Sequence, residues 1–193
     1  NKSTNSDNNL NINISKIIDE LNENGFCLIN NFMNREMCEE IIKIFNEGIK
    51  KFENVVIVDE NKCDFRMFGS ENLNLEIKNY HLNEFIKNIS EKFLKTKTIN
   101  LSTMTNKVRF IKKNLGSGSA EWHRDSFNKQ FKSILYLSDV KNGGGGFQLI
   151  ENSHKIMQMI KDSRDMSVDI LKLRVKNSLV HDRILKKSPH RLR

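Results

Sequence analysis

A change of hydrophobic period near residue 108 constrains this chain more than any other feature of its sequence. Before it, apolar residues recur every three or four positions, the spacing that gives a helix one buried face. Beyond it they come in short runs bounded by glycine or polar turns, the spacing of strands. Ile14, Ile17, Ile18 and Leu21 share a stripe that Asn24-Gly25 ends, and Phe26-Cys27-Leu28-Ile29 then reads as a short buried strand. Asn34 precedes a second amphipathic run, with Met37, Ile41, Ile42, Phe45 and Ile49 on one face and Glu36, Glu39, Glu40 and Lys43 mostly on the other. A third helix is expected from about Leu82 to Phe93, where Phe85, Ile86, Ile89 and Phe93 line up.

Past the change, Val108–Ile111, Lys132–Leu137 and Phe147–Ile150 read as strands. Gly116-Ser117-Gly118-Ser119 and Gly143–Gly146 read as permissive turns, the first without the Lys and following helix of a phosphate loop. Helices first and antiparallel strands second define an α+β protein with a mainly β core, the strands closing into a barrel or two-sheet roll on which the N-terminal helices pack. Residues 1–13, rich in Asn, Ser and Asp, are expected to be a disordered arm. Residues 14–193 then form one domain, helical to about residue 100 and β from about 107. Asp64-Phe65-Arg66-Met67-Phe68-Gly69 suits either part of a substrate entrance or a β-turn held by an Asp–Arg pair.

The chemistry concentrates at Glu121-Trp122-His123-Arg124-Asp125-Ser126. On an extended backbone residues two apart face the same way, so His123 and Asp125 converge while Arg124 faces away. One histidine and one carboxylate are two thirds of the face that binds non-haem Fe(II) with open coordination positions. Of the other histidines, His81 reads as an ordinary polar residue, and His181 is the candidate third ligand, at what reads as the end of strand Asn177-Ser178-Leu179-Val180. A hairpin through Lys186-Lys187-Ser188-Pro189 brings back Arg191, whose planar guanidinium suits a two-point grip on a carboxylate. His190 is the rival ligand and Arg193 the rival grip. Trp122 and Phe127 flank the motif, as core packing or as pocket walls.

Composition excludes several other classes. Cys27, Cys38 and Cys63 are odd in number and widely spaced, without a CxxC pair, so neither a disulfide framework nor a zinc knuckle is expected. No apolar run approaches the roughly 18 residues of a membrane span, and no apolar signal-peptide core is present, so a cytoplasmic protein is expected. The net charge of +8 suits an anionic partner, yet the lysines are scattered. Only the stretch from Lys107 to Lys113, with Arg109 and Lys112, is dense. It is placed to draw in an acidic substrate; a nucleic-acid partner is the weaker expectation, since no aromatic-interleaved motif accompanies it.

Several motifs in order carry a resemblance. Gly25-Phe26-Cys27-Leu28-Ile29 with Asn31-Phe32, Trp122-His123-Arg124-Asp125, Ile134-Leu135-Tyr136-Leu137-Ser138-Asp139-Val140, Gly145-Gly146-Phe147-Gln148-Leu149-Ile150 and Asn152-Ser153-His154-Lys155 together resemble the phytanoyl-CoA dioxygenase family, from about residue 14 to the end. The resemblance implies a double-stranded β-helix of the jelly-roll or cupin kind, Fe(II), and 2-oxoglutarate and O2 as co-substrates. It implies His123, Asp125 and His181 as iron ligands and Arg191 as the 2-oxoglutarate anchor. Apart from the resemblance, Lys132 and Ser138, on the adjacent expected strand, are candidates to reach the co-substrate. His154 belongs by this reading to a Ser-His-Lys loop element and is not a ligand. The implied reaction is hydroxylation of a small-molecule or acyl-type substrate with oxidative decarboxylation of 2-oxoglutarate to succinate. A halogenase of this class needs the carboxylate position vacated, so Asp125 favours hydroxylation. Two departures stand out: the interval from His154 to His181 is short for the family, and Arg193 falls where the closing strand begins, so that strand is expected to be incomplete. The rival readings are a β-roll binding module of the same ancestry that no longer catalyses and a basic nucleic-acid-binding protein.

Overall fold

The computed structural model describes residues 13–109, 121–141 and 146–193. The expected N-terminal arm up to residue 12, the Gly116–Ser119 turn, most of the Gly143–Gly146 turn and the Phe110–Ile111 end of one expected strand lie outside the described residues.

Asparagine starts four of the helices. Asn13, Asn34, Asn74 and Asn83 each accept, through Oδ1, a backbone N–H that the first helical turn leaves unpaired, from Ser15, Met37, Ile77 and Ile86 at 2.8–3.0 Å. The helices they open are α1 (Ile14–Asn24), α2 (Arg35–Lys51), α3 (Leu75–His81) and α4 (Glu84–Leu94). α1, α2 and α4 match the three expected stripes, with Ile17, Ile41, Phe45 and Ile89 buried. Gly25 ends α1 at φ +86°, a conformation that costs glycine nothing.

Asp64–Phe68 is neither a turn nor an entrance loop but strand β2, the centre of an antiparallel sheet between β1 (Ile57–Val58) and β3 (Met104–Val108). The expected Asp64–Arg66 pair exists, at 2.5 Å, lying along one face of the strand. Met67 and Thr105 face the other way, toward α2, where Gly48 leaves room for the Met67 and Leu73 side chains.

Downstream lie β4 (Trp122–His123), α5 (Ile156–Met166), β5 (Arg174–Val175) and α6 (Asn177–Val180), which runs on into a π turn, His181–Leu185. Met166, Val175, Val180 and Ile184 form a second core on which Trp122 and Ile150 pack, so Trp122 is a packing residue.

The class, helices with small antiparallel sheets, matches the expectation, but several particulars do not. Most buried apolar side chains sit on helices, so the core is not mainly β. Phe26–Ile29 pairs with no strand among the described residues, and Leu28 is 78% exposed. Lys132–Leu137 joins no ladder among the described residues, and only its second half, Ile134 to Leu137, alternates in exposure as a strand does. Asn177–Val180 is helical because Val180 and Ile184, four apart, must share one buried face, and so the expected strand and the hairpin to Arg191 are absent. With sheets of three and two strands, the described residues close no double-stranded β-helix. Leu149 and Arg193 exchange both backbone hydrogen bonds at 2.9 Å, beside the bridge Ile150↔Leu192, so the Phe147–Ile150 run pairs with Leu192 and Arg193.

Candidate metal centre

β4 is short because each of its backbone partners lies in residues 173–177. Trp122 pairs with Val175 and His123 with Arg174, the Arg124 N–H donates to Leu173 O at 2.8 Å, and the Trp122 N–H donates to Asn177 Oδ1 at 3.1 Å. This fixes the alternation. Trp122 enters the second core and the Arg124 guanidinium lies half-buried within the field of Asp162, while His123 and Asp125 face outward together. Burial pulls Arg124 below its usual range, and its Nε has no partner among the described residues.

His123 Nδ1 lies 2.7 Å from the Glu121 carbonyl oxygen. A carbonyl only accepts, so Nδ1 carries the proton and Nε2 keeps its lone pair in the neutral ring. Nε2 stands 3.5 Å from Asp125 Oδ1. Two acceptors at that distance call for a positive charge between them, either a proton or a metal ion. Backbone support of the distal ring nitrogen is also how metal-binding histidines are oriented. The second carboxylate oxygen, Oδ2, takes a hydrogen bond from Lys132 Nζ, and that bond, more than any other influence, holds Asp125 below the ordinary carboxylate range.

The structure does not bring the remaining expected residues to this pair. His181 opens the π turn with its ring at Asp182 Oδ1, 3.3 Å away, and among the described residues no three His, Cys, Asp or Glu side chains are close enough to hold a metal ion. His123 and Asp125 therefore fit Fe(II) as two donors, and the third corner is open. Arg191 ends a 3₁₀ turn, Pro189–Arg191. The rival grip Arg193 is held by Glu151 at 2.5 Å, and the rival ligand His190 lines a groove of about 470 Å³ between α5 and the π turn. Ser138 lies in an exposed bend.

Two features were not foreseen. Lys132 faces Asp125, a pairing seven residues apart that spacing alone does not reveal. His154, which has no chemical role on sequence grounds, is structural: its Nε2 donates to Asn22 O at 3.1 Å and its ring covers Gly25. The pairing of an invariably permissive residue with a distant histidine leaves no periodic signal. His81 is an ordinary hydrogen-bonded residue, at Thr103 Oγ1.

The fold thus sets helices beside small antiparallel sheets and turns a His-x-Asp pair outward from a short strand. The family model for phytanoyl-CoA dioxygenase (PhyH) matches residues 21–170, and the chain belongs to that family, within the Fe(II)/2-oxoglutarate-dependent oxygenase superfamily. The matched span contains His123, Asp125, Lys132 and Ser138 and ends before His181 and Arg191. No curated protein and no solved structure matches the chain. Among the described residues, no helix is long and apolar enough to cross a membrane.

Proposed function

We propose that this chain is an Fe(II)/2-oxoglutarate-dependent hydroxylase of a small-molecule or acyl-type substrate, working in the cytoplasm in the closed β-helix of its family. His123, Asp125 and His181 would hold the iron, and Arg191 would bind the far carboxylate of 2-oxoglutarate. The observation that carries this reading is the 2.7 Å contact of His123 Nδ1 with the Glu121 carbonyl oxygen: a proton on Nδ1 suits it, and the lone pair of Nε2 is then presented beside Asp125. With its co-substrates, the iron would supply the oxidising power for C–H hydroxylation and oxidative decarboxylation of 2-oxoglutarate. The protein's part is to orient the two donors and to keep Asp125 ionised, for which the Lys132 ammonium provides the charge until a metal ion replaces it. Lys132, freed, and Ser138 are then available to the co-substrate.

The chain has one tryptophan, Trp122, next to His123, so its fluorescence reports the site. Anaerobic addition of Fe(II) and then 2-oxoglutarate should quench it, and succinate should form when O2 is admitted. Asp125→Ala should abolish both responses. Absence of 2-oxoglutarate-dependent quenching and of succinate would sink the hydroxylase reading.

One observation favours a second reading. Because no third donor joins His123 and Asp125 among the described residues, a binding module that holds a cation without turnover also suits the geometry. Metal binding without succinate formation would select it.

A further inference from the structure

The β1–β3 sheet carries a second concentration of charge, remote in sequence from the His-x-Asp pair. Lys107 and Arg109 are two apart at the end of β3, so they share a sheet face, and the ladder fixes Arg109 there through its N–H to Cys63 O at 2.7 Å. Phe65 pairs with Lys107 on that face, and the Arg109 guanidinium lies 4.5 Å from the centre of its ring. Helix α2 packs over the same face, where Lys107 Nζ donates to Asn46 Oδ1. Lys50 is one turn beyond Asn46 on the same helix stripe. Three cations thus converge at one junction.

Nothing acidic offsets them. Among the described residues no carboxylate forms an ion pair with Lys50, Lys107 or Arg109. The nearby Asp59 is held by Cys63 and the Asp64 N–H, and Asp64 faces the other way toward Arg66 and Asn106. Residues 110–120, next in sequence, include Lys112 and Lys113 and no acid. The Lys107 ammonium is held below its usual range by burial first and then by the charges of Arg109 and Lys50, which agrees with that geometry. An ammonium left partly buried beside two like charges is stabilised when an anion joins it.

We propose that Lys50, Lys107 and Arg109 form a binding site for the phosphate or pyrophosphate group of a phosphorylated small molecule, at the junction of α2 with β2 and β3. The planar fork of Arg109 is braced on Phe65, as a two-point contact to a phosphate requires. The aromatic faces here favour a small molecule over a nucleic acid. Both nearby rings carry a cation on one face, Arg109 on Phe65 and Lys51 on Phe52 at 5.2 Å, which leaves less aromatic surface for a stacked base.

Inorganic pyrophosphate is the probe, titrated into the full chain by calorimetry in low salt without metal. Saturable binding should weaken about tenfold in the double variant K50Q/R109Q, the loss expected for two charge-assisted contacts. The control K97Q, which removes an exposed charge elsewhere, should stay within about twofold. K50Q alone changes only an exposed helix-end residue, and should weaken binding about threefold even if the double variant does not fold. No saturable binding, or equal weakening by K97Q, would overturn the site. So would tight binding of a single-stranded oligonucleotide by a chain that ignores pyrophosphate.

Discussion

Single residues here do work that their sequence context conceals. Gly25 is the clearest case, because two independent constraints meet on it. Its φ of +86° strains any side chain, and a Cβ would lie 2.6 Å from Nδ1 of His154, whose Nε2 holds the end of α1 through Asn22 O. Gly25→Ala should therefore destabilise the fold by about 1–3 kcal/mol, measured by urea unfolding. Relief of most of that loss by a further His154→Ala would confirm that the contact, and not φ alone, sets the cost. Lys132 invites a second test. Its pair with Asp125 is half exposed, so Lys132→Met should change stability by no more than about 1 kcal/mol. Because the ammonium at Oδ2 competes with a metal ion for the charge of the same carboxylate, the same variant should bind Co(II) at least as tightly as the parent. A tenfold loss of Co(II) affinity, read in the visible spectrum, would show that Lys132 supports the metal site and does not stand in for its charge.

At the level of elements, the β1–β2 turn is stapled by one carboxylate. Asp59 Oδ1 accepts from the Cys63 and Asp64 N–H groups at 2.7 Å, and Oδ2 accepts from the Cys63 thiol at 2.9 Å. The thiol bond, above all, holds Asp59 below the ordinary carboxylate range and pushes Cys63 up. A carboxylate with a lowered folded pKa contributes stability above its unfolded value and loses it as pH falls through the folded one. Protection of the Cys63 and Asp64 amides from hydrogen exchange should accordingly decline only at acid pH. Asp59→Asn should remove that dependence and lower the melting temperature. The same comparison of elements shows what sequence conveys. α1, α2 and α4 were legible because an apolar stripe of three or four turns admits one reading. Strand β2 was present as an alternation, Phe65 and Met67 against Asp64, Arg66 and Phe68, hidden by the Asp64–Arg66 pair of charges on one face. Asn177–Val180 was misread because a short apolar run carries no period, and the burial of Ile184 four residues on decided for helix. At the candidate site, His123 and Asp125 were legible because two residues of one strand share a face by local geometry. His181 depends on long-range closure, which no local pattern encodes.

That closure is the property of the whole molecule on which the proposed hydroxylation depends, and it can be tested through linkage. If metal binds only the folded chain, it stabilises by mass action, about 2.7 kcal/mol at a concentration a hundredfold above the dissociation constant. For a chain of this size that raises the melting temperature by roughly 5–10 °C. Asp125→Ala should cancel the shift. The route of the stabilisation separates the two readings of function. Residues 122–124 are tied to residues 173–175 by backbone pairing and to Asn177 through its side chain, and His181 lies only a helical turn beyond, so a third ligand there would draw α6 and the π turn toward β4. The Leu149–Arg193 pairing would then hold the far end of the segment. Under the hydroxylase reading, hydrogen exchange with and without Co(II) should show slowed amides across residues 177–191, and His181→Ala should lose that protection while His190→Ala keeps it. Protection confined to residues 121–126 would mean that the metal is held by two protein donors alone, and the binding-module reading would then be the one that stands.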